Sequence, residues 1–218
     1  MAAGEWSTTE HVVRYLARAD SYPRRSEGEA VLLDRAGAPR GSSILDLGTG
    51  DGRLLALLRG DRPDALGVGL DVSEPMLGAA RQRFAGDWHV ELIEHDLAEP
   101  LPTLRRFNVV VSSFAIHHLE HQRKRSLYGE VLHLLEPSGV FANLEHVASP
   151  TPRLYLAFIA AIGETPEEED PSDRPTSTAS QSRVWTVPVV CEARPCAYTC
   201  AMSGDDVIAV GRVVADNG

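Results

Sequence analysis

The sequence predicts an α/β fold, a doubly wound and mostly parallel sheet flanked by helices with a helical N-terminal cap. Three observations carry that expectation. From Ile44 to about Val147, short apolar runs alternate with longer segments of helical period, the pattern of βα units around a parallel sheet. The first run leads into three alternating glycines, and acidic residues stand at the ends of the first three runs. With 218 residues, 43% hydrophobic and 24% charged, the chain suits one core that buries roughly 70% of the unfolded surface.

Residues 1–41 form the expected cap. Thr9–Ala19 and Glu27–Arg35 have helical patterns, broken at Ser21-Tyr22-Pro23, because proline forces its predecessor out of helical geometry. The α/β core is expected over 42–163. Its strands are SSILDLG, ALGVGLD, HVELIEHD, FNVVVSS and GVFANLEHV, nearly continuous in apolar residues as strands covered on both faces must be. Helices follow over Gly52–Leu58, Ser73–Phe84, with Ser73 as N-cap and Pro75 in the first turn, and His121–Leu135, stopped by Pro137-Ser138-Gly139. Thr151–Gly163 carries an apolar helical stripe that suits a lid or a core helix equally. From 164 to 218 the chain turns acidic, then rich in Pro, Ser and Thr, and holds all three cysteines; VWTVPVV and DDVIAVGRVV are its strand candidates.

The net charge of −10 repels phosphate backbones and anionic lipid. No nucleic-acid or membrane partner is expected, and a neutral or cationic small substrate fits. No apolar run reaches the roughly 20 residues of a membrane helix, and the start has no basic region followed by an apolar run, so a cytoplasmic protein is expected. The spacing of Cys191, Cys196 and Cys200 suits neither zinc nor redox pairs. Glu145 and His146 are adjacent in a strand and project to opposite faces, so no metal is expected. Arg123-Lys124-Arg125 reads as a solvated helix face.

The most informative stretch is ILDLGTGDG, residues 44–52. Gly48, Gly50 and Gly52 permit a sharp turn at positive φ and let backbone approach a ligand. A dinucleotide fingerprint needs a glycine three residues after Gly50, where Arg53 stands. Asp46, inside the strand, suits a ligand ammonium and repels a pyrophosphate, which favours a nucleoside bearing an amino acid. Asp71 ends the next strand, about 20 residues on, where a carboxylate accepts ribose hydroxyls. Asp96, after the third strand, is placed to accept from an adenine amino group.

This constellation resembles the class I S-adenosylmethionine-dependent methyltransferases, whose fold is Rossmann-like. ILDLGTGDG is similar to their first motif, GVGLDVSEPML to the second, EHDLAEPL to the third and FNVVVSSFAIHHL to the fourth. The resemblance covers about Ser42 to Val147 and implies S-adenosylmethionine as cofactor. It implies Asp46 near the methionine amino group, Gly48, Thr49 and Gly50 under the cofactor, and Asp71 on the ribose. It puts Val72 and Met76 beside the adenine, Asp96 and Leu97 at its amino edge, and Ser113 as a backbone contact. Tyr22-Pro23-Arg24-Arg25 resembles a segment that closes over the cofactor, with Arg24 or Arg25 pairing with its carboxylate.

Methyl transfer from a sulfonium needs alignment and exclusion of water more than catalytic groups. Where the acceptor must lose a proton, histidine is the usual base. His117 and His118, directly after the fourth strand at the ligand crevice, are the catalytic candidates. In place of the Asn/Asp-Pro-Pro-aromatic segment of amide-methylating relatives, this chain has Ser112-Ser113-Phe114-Ala115. A small-molecule methyl acceptor is therefore expected, against Trp6, Tyr15 and Phe114. The alternatives are a relative that modifies the cofactor itself, such as a carboxy-S-adenosylmethionine synthase, or an idle cofactor-binding protein. The resemblance fades after residue 174, in a tail whose composition a shifted reading frame in a GC-rich gene would produce. Without further strands the fifth strand is a bare edge that invites a homodimer, unless VIAVGRVV covers it.

Overall fold

The computed structural model describes residues 6, 8–19, 25–37, 41–60, 62–147, 156 and 185–192. In chain order the elements are α1 (Thr9–Ala19), α2 (Arg25–Ala36), β1 (Ser43–Leu47), α3 (Arg53–Arg59), β2 (Leu66–Asp71), α4 (Glu74–Arg83), β3 (Val90–Glu94), β4 (Phe107–Ser113), a 3-10 turn (Ile116–His118), α5 (His121–Leu134), β5 (Leu135–Val147) and β6 (Trp185–Glu192). The sheet order is β3-β2-β1-β4-β5-β6, parallel from β3 to β5 and antiparallel at β6. The chain starts at β1, works outward to β3, then returns to the other side of β1. That reversal opens a crevice at the carboxyl ends of β1 and β4, where α/β sheets hold ligands.

Side-chain alternation feeds two cores. Leu45 and Leu47 of β1 join Val68, Leu70, Val110, Leu127 and Val131 on the α5 face. Ile44 joins Leu32, Leu54, Leu55, Leu58, Val109 and Val111 under α2 and α3. Strands buried on both faces cannot alternate with polar residues, which is why these runs read as continuously apolar. Each fully buried leucine stabilises the sheet by about 1.5–3 kcal/mol. α4 starts where expected: the Ser73 hydroxyl accepts from the Met76 amide at 3.3 Å, and Pro75 occupies the first turn.

Three expectations need correction. β5 begins at Leu135, directly at the end of α5, rather than after Pro137-Ser138-Gly139. Those residues are taken up as an irregularity in which Phe107 pairs with Leu135 and Val109 with Val140, and Ser138 sits at φ 70°. Second, the edge of β5 is covered by Trp185–Glu192, paired antiparallel from Val140 to Val147, so the strand after the compositional break does join the sheet. DDVIAVGRVV, the helix pattern of 151–163 apart from Leu156, and Tyr22-Pro23-Arg24 lie outside the described residues.

Third, Arg123 and Lys124 are not a solvated face. Arg123 donates to the Leu97 carbonyl at 2.8 Å and pairs with Glu130 at 2.5 Å, and Lys124 donates to the His117 carbonyl at 2.9 Å. Both cations satisfy carbonyls of loops that cross the end of α5, Leu97 lying 26 residues from Arg123 and His117 seven from Lys124. No helix among the described residues is long and apolar enough to cross a membrane, and no group of three or more His, Cys, Asp or Glu among them could hold a metal ion.

Candidate functional site

The crevice above β1 is partly open to solvent and has a cavity volume of about 90 Å³. Every strand from β3 to β4 contributes to its wall. β1 leads to Gly48 and Gly50; β2 supplies Asp71 and Val72, with Met76 from α4; His95 and Leu97 follow β3. β4 leads to Ser113, Phe114, Ala115 and His118, and the N-terminal segment adds Trp6 and Tyr15.

The glycine turn shapes the floor. Gly48 has φ 72°, and a Cβ there would lie 2.2 Å from the Ala115 Cβ, so this glycine lets two loops touch. Gly50, at φ 55°, differs: a Cβ would have nothing nearer than Met76 Sδ at 4.0 Å. Its open side faces the crevice. The turn is pinned from β2, with the Gly48 and Thr49 amides donating to the Leu70 carbonyl at 2.8 and 2.9 Å. Asp71 Oδ2 accepts from the Gly50 amide and Oδ1 from the Ser73 amide, both at 2.8 Å. Burial raises the Asp71 pKa above the ordinary carboxylate value, against the lowering effect of these amides.

Asp46 lies behind this wall rather than on it. It is fully buried, Oδ2 accepts from the Thr49 hydroxyl at 2.8 Å, and Oδ1 has no hydrogen-bond partner among the described residues. Burial pushes its pKa up to about 7, with Asp71 and Asp51 adding repulsion. Thr49 is likewise buried and acts through Asp46. Asp96 is off the wall, Oδ1 accepting from the Ala98 amide at 2.8 Å, which fixes the turn that presents Leu97.

On the β4 side the two histidines separate. His118 lines the crevice; His117 is buried behind it, their rings 3.9 Å apart. His117 Nδ1 lies 2.7 Å from Glu145 Oε2, and the other oxygen of Glu145 accepts from the Ile116 amide at 2.7 Å. A carboxylate only accepts, so Nδ1 of His117 carries the proton. Burial, then the neighbouring charges of His117 and Lys124, lower the His118 pKa to about 3. His118 is thus a neutral imidazole at physiological pH. Phe114 holds φ 54° between β4 and the turn, an uncommon conformation for a bulky residue at a ligand crevice.

Arg24 lies outside the described residues. Arg25 is buried and committed elsewhere, donating to Glu29 at 2.9 Å and to the Ala19 carbonyl at 3.3 Å, with its guanidinium 5.8 Å from the Phe114 ring centre. Arg53 donates to the same Glu29 at 3.0 Å. The crevice thus gathers Gly48, Gly50, Asp71, Val72, Met76, Leu97, Ser113 and His118 of the expected residues, while Asp46, Thr49, Asp96 and His117 support it from behind. His95 and Glu145 were missed as site residues. His95 had one signal, its place at the carboxyl end of a strand; the role of Glu145 depends on a partner 28 residues away.

An open glycine floor, a carboxylate at the second strand and a partly apolar wall fit a nucleoside. Residues 44–139 match the model of a methyltransferase domain family. A demethylmenaquinone methyltransferase from Clavibacter sepedonicus is 35% identical over 136 residues, 61% of this chain and 54% of that protein. A trans-aconitate 2-methyltransferase from Acidovorax ebreus is 30% identical over 118 residues, 54% of this chain and 43% of that protein. The chain therefore spans about half the length of the curated relatives it matches. Among solved structures, the N-methyltransferase NodS from Bradyrhizobium japonicum in complex with S-adenosyl-L-homocysteine has a TM-score of 0.56 at 21% identity, covering 72% of this chain and 84% of that one. That likeness shows the shared fold.

Proposed function

We propose that this chain transfers the methyl group of S-adenosylmethionine to a small-molecule acceptor. The observation that carries the reading is the floor of the crevice: Gly50 presents open backbone at positive φ beside a carboxylate, Asp71, that itself grips the Gly50 amide. The names of the two curated relatives, which act on a menaquinone precursor and on trans-aconitate, support an acceptor of small size.

When bound, the cofactor supplies an electrophilic methyl on a sulfonium. Asp71 would accept the ribose hydroxyls, Val72 and Met76 would flank the base, and Leu97 with the turn capped by Asp96 would meet its amino edge. Gly50 would leave room for the amino-acid arm, Gly48 lets the loop carrying Ala115 close against the turn, and Ser113 would contact the arm from β4. Asp46, behind Thr49, would set negative charge beneath that arm once the pH rises above about 7. The acceptor lies against Trp6, Tyr15, Phe114 and His118. A protonated imidazole there would repel the sulfonium; His118, held neutral, orients the acceptor by hydrogen bonding, and His117 and Glu145 hold it in place. A base of such low pKa removes protons poorly near pH 7, so the acceptor nucleophile is one that needs little help to ionise.

Calorimetric titration with S-adenosylmethionine and S-adenosylhomocysteine, with NADH as control, tests the reading. Micromolar binding of the first two and none of NADH is expected, followed by a mass gain of one methyl group in the acceptor. A folded protein that binds neither sulfur compound would sink the proposal.

A further inference from the structure

Among the polar groups on the crevice wall, His95 has no role in the reading above. It follows β3 directly, and its backbone amide donates to the Asp71 carbonyl at 2.8 Å. His95 lines the crevice, and its Nε2 is buried without a hydrogen-bond partner among the described residues. A buried polar atom left unpaired costs about 1–3 kcal/mol, so such atoms on a cavity wall call for a ligand group.

The sheet order says which part of the ligand that is. β3 is the outermost strand on one side and β4 lies three strands away, on the order of 14 Å at the usual strand spacing. His118 and Phe114, on the acceptor side, belong to the β4 end. His95 belongs with Asp71 and Val72, beyond the ribose position. An imidazole nitrogen there meets a flat group that offers donors and acceptors along its edge.

We propose that His95 is a further cofactor-binding residue, whose Nε2 hydrogen-bonds the edge of the purine ring. The inference rests on the cofactor reading above and deepens it. Either tautomer serves, because an adenine edge carries both an amino donor and ring-nitrogen acceptors. His95 thereby adds a side-chain contact for the base beside Asp96 and Leu97.

The test is calorimetric affinity for S-adenosylhomocysteine, and competition against it by S-ribosylhomocysteine, which lacks the base. The purified full chain is compared with His95→Leu and His95→Gln, each checked for an unchanged unfolding midpoint. His95→Leu is expected to weaken S-adenosylhomocysteine about tenfold and leave S-ribosylhomocysteine within about twofold. His95→Gln, which keeps a hydrogen-bonding group at similar reach, restores most of the loss. Equal weakening of both ligands, or no weakening of either, overturns the assignment to the base while leaving the cofactor reading intact. Failure of the wild-type chain to bind S-adenosylhomocysteine overturns that reading and this inference together.

Discussion

The two halves of the crevice are built by different means. On the β1–β2 side, a backbone turn does most of the shaping: Thr49 bonds Asp46 three residues away, Ser73 bonds Asp71 two residues away, and the Gly50 amide reaches Asp71 across 21. On the β4–β5 side, side chains converge from distant segments. Glu145 reaches His117 across 28 residues, and the Trp6 ring sits 6.2 Å from His118. A half shaped by a backbone turn tolerates little change and, on the proposed reading, suits the cofactor. A half made of converging side chains is easily altered, which suits the component that differs between relatives.

The sharpest way to break this contrast is at Gly50. Gly50→Val places a β-branched side chain at positive φ, where it is strained, and projects it into the open floor. Binding of S-adenosylhomocysteine is expected to fall by on the order of 100-fold or more, read by calorimetry. Retained micromolar affinity would show that the floor is not where the nucleoside rests.

Asp46 gives the next largest effect, in stability. Burial lifts its pKa from an unfolded value of about 3.9 to about 7 in the folded state, so the folded chain holds this proton more tightly. Its contribution is therefore fully present below about pH 4 and lost as the pH rises through about 7. Asp46→Asn keeps an oxygen for Thr49 and removes the charge. It is expected to flatten this part of the pH profile and raise stability at pH 8 by on the order of a few kcal/mol. Cofactor affinity is expected to fall, because the charge under the amino-acid arm is gone. Chemical denaturation from pH 5 to 8 reads the first effect; an unchanged slope removes the buried-acid account. Asp71, shifted the same way by burial, leaves a residual slope in the variant.

Asp71→Ala removes the acceptor of two backbone amides and, on the proposed reading, of the ribose hydroxyls. A loss of about 1–3 kcal/mol in S-adenosylhomocysteine binding is expected, which is roughly 5- to 150-fold. S-adenosylhomocysteine carrying 2′-deoxyribose should lose less in the variant than in the wild type. Equal losses would confine Asp71 to holding the turn.

This difference in construction also governs what the sequence could reveal. The strands, the glycine turn and Asp71 depend on short-range periodicity and on the φ demands of single residues, so ILDLGTGDG and LDVSEPM were legible as a strand, a turn and a capped helix. Leu135 was not, because an apolar residue ending a helix stripe and one starting a strand look alike until β4 offers a register. The burial of His117 behind His118 was equally hidden: two adjacent histidines read alike until Glu145 claims one. Arg123 and Lys124 looked solvated because the carbonyls they satisfy, at Leu97 and His117, become neighbours only in the fold.

Glu145 offers the smallest effect on cofactor binding and the most direct comparison of the halves. It is buried, with one oxygen on the Ile116 amide and the other on His117. Glu145→Ala strands both donors away from water, a cost of about 1–3 kcal/mol for each in unfolding free energy. The turn carrying His118 then loses its anchor, while Gly48, Gly50 and Asp71 keep every bond described above. S-adenosylhomocysteine affinity is accordingly expected to stay within about twofold of wild type, with the loss confined to stability and to turnover. If cofactor affinity fell along with stability, the two halves would be one cooperative unit, and acceptor variation could not be separated from cofactor binding in this fold.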